Sequence, residues 1–313
     1  MNAAFRSSDL LAHPHRSDIA ALPTRDRAVL RLLYRMEAAT VRQLTDLAYR
    51  RARKGQYRLQ QLWRLRLTER TRVATDHAGA PPYVHRLTYR VRQRLGYRTP
   101  QPQITSRLRH LLDSHDVVCS LAQPTSHAPD GPMQAWLTAP MAAKVFGGRV
   151  EPDGVVVLQL REQSAVLCIE LDEGTEHHPV IIDKLERYAA QLRDRSGWHL
   201  LFVVPGRERL MRIQRLARRP GLAMLRGHAW VTLLADVRRR GLTAETYPAW
   251  STDAPIPMAT LIDDERDRGS AAPVGSDEWL TMLATGGVED FDRLLAGTEN
   301  PSPYRSSSGE RTR

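Results

Sequence analysis

The chain has 313 residues, with 46 Lys or Arg against 35 Asp or Glu, a net charge of +11 at pH 7 and a pI near 10.2. Its 42% hydrophobic and 26% charged residues are those of a soluble globular protein, long enough for roughly two domains. It has no run of about 18 apolar residues, and residues 1–18 lack an apolar segment with a small-residue cleavage site. Neither a membrane span nor a signal peptide is therefore expected, and the expected location is the cytoplasm. Cys119 and Cys168 are the only cysteines, too few for a zinc site or a disulfide framework, and are expected in the core.

The positive charge is local. Residues 21–100 hold 19 Lys or Arg against 5 Asp or Glu, residues 101–250 hold 19 against 16, and residues 251–313 hold 6 against 12. A cationic field of that density attracts polyanions and releases their condensed counterions, so double-stranded DNA is the expected partner. Only Lys54, Lys144 and Lys184 are lysines, which draws attention to each.

In chain order, Thr24 to Glu37 predicts a first helix, with Val29, Leu32, Leu33 and Met36 on one stripe. Thr40 caps a second, which buries Val41, Leu44, Leu47 and Ala48. Arg50 to Gly55 reads as a basic turn, and a third helix over Gln56–Arg66 buries Leu59, Leu62, Trp63 and Leu65. Two short strands, Thr71–Thr75 and Tyr83–Thr88, flank the turn-forming stretch Asp76–Pro82, and Arg90–Gly96 closes the segment. Three helices followed by a ribbon is the order of a winged helix-turn-helix domain, here residues 20–97, whose third helix enters the major groove. Arg51, Arg53, Lys54, Arg58 and Arg64 at or near that helix, with His85 and Arg86 in the ribbon, are the expected DNA contacts. Residues 98–103, with Pro100 and Pro102, read as a linker.

Residues 104–250 predict an α/β domain with a mixed sheet. Ile104–Leu121 is a helix and Gln134–Leu137 a strand. Val155–Leu160 and Ala165–Leu171 are apolar enough for strands buried on both faces. The helix Glu176–Arg193, the strand Leu200–Val204, the Arg-rich helix 207–218 and the strand Trp230–Leu234 complete it. The polar exceptions carry the chemistry. Asp153 opens one strand, and Glu170 and Asp172, two residues apart, share a face at the end of the next. Three carboxylates at one sheet edge suit Mg²⁺ or Mn²⁺, which would activate a water for phosphodiester hydrolysis. Lys184 on the following helix would stabilise the phosphate charge. Asp116 and Glu176 are secondary candidates.

Pro152-Asp153, then Glu170 after 16 intervening residues, resembles the PD-(D/E)xK nuclease pattern. The pattern's lysine stands two residues after the second acid, where this chain has Asp172, so Lys184 would be a relocated lysine or the site would be inactive. The chain also resembles the replication-relaxation family of bacterial plasmids and other mobile elements. The matching stretches are Leu87-Thr88, His110 to Asp116, Glu151-Pro152-Asp153-Gly154, and Ile169 to Glu176 followed by Lys184 and Tyr188. That resemblance implies a bacterial DNA-binding protein of plasmid replication or maintenance. The alternatives are an active Mg²⁺-dependent DNA endonuclease, with Asp153, Glu170, Asp172 and Lys184 catalytic, and a transcriptional regulator or replication-complex assembly factor.

Residues 251–313 carry a net charge of −6 and read as a mostly disordered acidic tail. Its short apolar segments Trp279–Leu283 and Phe291–Leu295 would dock replication or mobilisation proteins. A homodimer is expected from winged-helix precedent.

Overall fold

The computed structural model describes residues 19–262 apart from 50, 74–80, 96–106, 127, 130, 161–162 and 194. The linker at 98–103 and the expected tail beyond residue 262, with its two apolar segments, lie outside the described residues. The described residues form two units, one of 19–136 with 234–244, the other of 137–233 with 245–262.

The first unit begins with α1 (Thr24–Arg35), β1 (Ala39–Thr40), α2 (Val41–Ala48) and α3 (Ala52–Arg64). The predicted stripe of α1 is fully buried at Val29, Leu32, Leu33 and Met36. Thr40 caps α2 in a reciprocal box: its Oγ1 accepts the Gln43 amide at 3.1 Å, while Gln43 Oε1 accepts the Thr40 amide at 2.9 Å, which satisfies two orphan donors at the helix start.

Helix α3 starts earlier than the sequence predicts, and Gly55 lies inside it rather than in a turn. The reason is the approach of α2. A Cβ on Gly55 would stand 2.5 Å from Thr45 Oγ1, so only glycine lets the two helices come this close.

The strands β2 (Thr68–Arg72) and β3 (Tyr83–Leu87) pair antiparallel from Thr68↔Leu87 to Arg72↔Tyr83, and β1 adds to β3, giving the order β1-β3-β2. The first ribbon strand thus lies three residues earlier than predicted. α4 (Tyr89–Arg94) follows, and α5 (Arg107–Leu121) packs behind the ribbon. There Leu108, Leu112 and Leu111 meet Ala38, Val73 and Val84 in one apolar cluster. Helix α9 (Leu234–Arg240) returns to α5. Just past it Gly241, at φ +52°, comes so near that a Cβ would meet the Ser120 carbonyl oxygen at 2.6 Å.

The second unit holds six strands of a seven-stranded mixed sheet of order β10-β9-β8-β7-β6-β5-β4, and β4 runs across the boundary between the two units. The strands of the sheet are β4 (Met133–Thr138), β5 (Gly154–Leu160), β6 (Gln163–Leu171), β7 (Trp198–Val204), β8 (Ala229–Leu233), β9 (Glu245–Pro248) and β10 (Ile256–Pro257). β6, β7 and β8 run parallel, while β5 with β6 and β8 with β9 are antiparallel. Val155–Leu158, Ala165–Cys168 and Leu200–Val204 are completely buried, as the unbroken apolar runs require. α6 (Ala139–Val145) follows β4, and α7 (His178–Leu192) and α8 (Arg207–Ala217) are the parallel crossovers and pack together. The carboxyl end of β6, where an open α/β sheet places ligands, carries Glu170 and Asp172. Among the described residues no helix is long and apolar enough to cross a membrane.

Candidate nucleic-acid interface and carboxylate site

Helix α3 buries Gly55, Leu59 and Leu62 and turns the opposite side outward. Arg53, Gln56, Tyr57, Gln60, Trp63 and Arg64 are all exposed, as are Arg51 and Lys54. Arg53, Tyr57, Gln60 and Arg64 fall at helical spacings of four, three and four, which aligns them in one stripe. Such side chains can meet phosphates and the donor and acceptor edges of bases.

Arg58 is placed differently from its neighbours. Its Nε donates to Asp26 Oδ1 at 3.3 Å and its Nη2 to Asp26 Oδ2, and Asp26 is buried. This guanidinium ties α3 to α1. His85 is also turned inward. It is buried, its Nδ1 lies 3.3 Å from Thr68 Oγ1, and burial, helped by Arg70, pushes its pKa down to about 4. It is therefore neutral at pH 7. Arg86 is half-buried and stands opposite Glu69 in the ribbon. Arg70, Arg72 and Tyr83, which no sequence pattern singles out, share the ribbon face with His85. The alternation of β2 puts Arg70 and Arg72 on that face only once the strand's start is known.

Asp116 belongs to the interior of the first unit. Its Oδ1 accepts from Arg42 at 2.6 Å and from Gln43 at 2.7 Å, and its Oδ2 accepts from Arg238 Nε at 3.0 Å. This hub joins α2, α5 and α9.

At the carboxyl end of β6, Glu170 is buried. Its Oε2 accepts from Lys184 Nζ at 2.9 Å and its Oε1 from the Tyr188 hydroxyl at 2.7 Å. Lys184 and Tyr188 are four residues apart on α7 and so reach one carboxylate from one helix face. Lys184 also donates to Glu176 Oε1 at 3.1 Å. Burial pushes the Glu170 pKa up to about 7, partly offset by Lys184 and reinforced by the charge of Asp153. Burial opposes the charge on Lys184, but the two glutamates hold its pKa above the ordinary lysine value. Tyr188 is fully buried and its pKa is driven well upward by burial and by Glu170, so it is no phenolate nucleophile.

Asp153 stands near enough to act on Glu170, and its Oδ2 accepts the Leu171 amide at 2.7 Å. Asp172 faces another partner. Arg209 of α8 donates Nε to its Oδ2 at 2.6 Å and Nη2 to its Oδ1 at 2.9 Å, and the Gly174 amide donates to Oδ1 at 2.8 Å. Both members of this pair are buried. Arg209 was hidden in the sequence among the arginines of its helix. His177 and His178 stand at the start of α7 and are exposed.

With Asp172 committed to Arg209 and both Glu170 oxygens engaged, the three acids do not converge on one point. Among the described residues no group of three His, Cys, Asp or Glu side chains is arranged to hold a metal ion. In this arrangement the residues do not fit a carboxylate-bound divalent cation. Both cysteines are buried, and burial raises their thiol pKa values, which keeps them unreactive.

No curated protein and no solved structure matches the chain. The family model described as replication-relaxation matches residues 30–199, from α1 through the Glu170–Lys184–Tyr188 cluster to the start of β7, and the protein belongs to the replication-relaxation family.

Proposed function

We propose that this is a double-stranded DNA-binding protein that acts in the replication or maintenance of a plasmid or other mobile element. In this reading residues 24–94 are a winged helix-turn-helix that grips DNA with α3 and the ribbon. The second unit is a PD-(D/E)xK-like domain whose carboxylate site serves as structure and does not cleave. The observation that carries the DNA-binding reading is the outward side of α3 and its N-cap, with Arg51, Arg53, Lys54 and Arg64 exposed in the segment that holds 19 basic residues against 5 acidic ones. Binding of this kind neutralises phosphates and weakens steeply with salt. Family membership supports the plasmid setting.

A second reading, an Mg²⁺- or Mn²⁺-dependent endonuclease, is favoured by one observation: Lys184 stands 2.9 Å from Glu170, with Asp153 close enough to influence that carboxylate. It requires Glu170 to exchange its Lys184 and Tyr188 partners for a cation. The two readings separate when the full chain is incubated with supercoiled plasmid and either cation, beside Glu170→Ala and Lys184→Ala. Salt-sensitive retardation without conversion to nicked or linear DNA is expected. Conversion that both substitutions abolish establishes the nuclease instead.

A further inference from the structure

The two faces of the β2–β3 ribbon are unequal. Val84 points into the apolar cluster with Leu108 and Leu112 of α5, so the face it shares with Thr71 and Arg86 is backed by a helix. On a strand, residues two apart share a face, which puts Arg70 and Arg72 together on the other side, with Tyr83 directly across from Arg72.

There the side chains form a stack. The Arg70 guanidinium carbon lies 3.7 Å from the centre of the Trp63 ring and 4.4 Å from that of Tyr83, and the Arg72 guanidinium carbon lies 4.8 Å from the Tyr83 ring. Trp63 comes from the last turn of α3 and is 37% exposed, Arg70 and Tyr83 are half-buried and Arg72 is exposed. Among the described residues no ion pair joins either arginine to a carboxylate, and Arg72 uses one donor in a hydrogen bond to the Tyr83 hydroxyl, leaving the rest of its edge open.

A guanidinium laid on an aromatic face keeps its edge donors free, because the ring occupies only its plane. A phosphate takes two parallel N–H donors from that edge. Holding the arginine in place beforehand removes part of the ordering cost that a free side chain pays on binding.

We propose that the Trp63–Arg70–Tyr83–Arg72 stack is a preformed clamp for the phosphodiester backbone of a DNA strand lying beside α3. Arg70 and Arg72 contact phosphate, and Trp63 and Tyr83 are positioning residues. The inference rests on the DNA-binding reading and replaces His85 with Arg70 and Arg72 as the ribbon's contribution.

The test is the affinity of the full chain for a fluorescent duplex and for the matching single strand, across a salt series. Wild type is compared with Arg70→Gln, Arg72→Gln, their combination, Trp63→Phe, Trp63→Ala and Arg53→Gln, each checked for an unchanged circular dichroism spectrum and melting temperature. Each lost phosphate contact should lower the slope of log affinity against log salt by about 0.9 on duplex and about 0.7 on single strand. Trp63→Phe should keep wild-type binding and Trp63→Ala should lose part of it. A double arginine variant with wild-type affinity and slope overturns the clamp, while a loss in Arg53→Gln in the same series leaves the DNA-binding reading standing. If wild type binds neither DNA at low salt, the reading and the clamp fall together. A slope loss on duplex alone places the clamp on double-stranded DNA, and a loss on both strand states assigns it to the backbone of either.

Discussion

Lys184 and Glu170 meet at 2.9 Å at the end of a strand that is apolar from Ala165 to Ile169. The carboxylate beneath the ammonium is buried enough that its pKa rises from 4.5 to about 7. A folded-state pKa above the unfolded one means that the native state binds more protons through that interval. The stabilisation from protonating Glu170 is fully present below about pH 4.5 and is lost as the pH rises through about 7. Glu170→Gln should remove this component, and Lys184→Met should extend it to higher pH by taking away the neighbouring positive charge. Unfolding free energies by urea between pH 4.5 and 8 check both. Identical pH profiles for wild type and Glu170→Gln contradict the assignment.

Asp172 and Arg209 form a buried two-point ion pair. Removing one partner strands the other charge, and we expect Arg209→Met or Asp172→Asn to cost about 3–5 kcal/mol. The double variant should cost much less than the two single costs combined. A double-mutant cycle by urea unfolding measures the coupling. Additive effects would show that Asp172 and Arg209 act independently.

Arg58 and Arg53 lie five residues apart on one basic helix and should behave differently. Arg58→Ala leaves Asp26 buried without its guanidinium and should lower stability by about 2 kcal/mol, discounted from the fully buried case because Arg58 is partly exposed. Arg53→Ala, on the surface, should change stability by less than about 0.5 kcal/mol while weakening DNA binding. Thermal melts and DNA titrations on the two variants decide this. A destabilised Arg53→Ala beside an unaffected Arg58→Ala would reverse the roles.

His85 is buried with its pKa lowered from 6.5 to about 4. Here the unfolded chain binds more protons, so the stabilisation is present above about pH 6.5 and is lost as the pH falls through about 4. His85→Gln should flatten stability over that interval and leave the salt dependence of DNA binding unchanged. A reduced salt slope in His85→Gln would put this side chain on the DNA after all.

The parts legible in the sequence are those whose physics is local. The stripe of Val29, Leu32, Leu33 and Met36 announces α1, and Thr40 marks the start of α2. The short, Val- and Leu-rich apolar runs ending at Leu160, Leu171 and Val204 read as strands of a covered sheet. Lys184 was visible as a rare lysine one helix beyond Glu170, and the two do meet. The pairing of Asp172 with Arg209 was not visible, since 37 residues separate them and Arg209 is one of several arginines on α8. The return of α9 to α5, bringing Arg238 to Asp116, likewise leaves no periodic trace. The stack of Trp63, Arg70 and Tyr83 was hidden because the first ribbon strand begins at Thr68, three residues before its β-rich stretch suggests. The start of α3 is illegible for a related reason: Gly55 reads as a turn residue until Thr45 is seen against it.

DNA binding by this protein is tested first by the affinity of the full chain for a fluorescent DNA duplex between 50 and 200 mM salt. The expected result is binding at low salt and a straight log–log decline whose slope reports several neutralised phosphates at about 0.9 each. Absence of binding at 50 mM salt, or an affinity that does not change with salt, would contradict it.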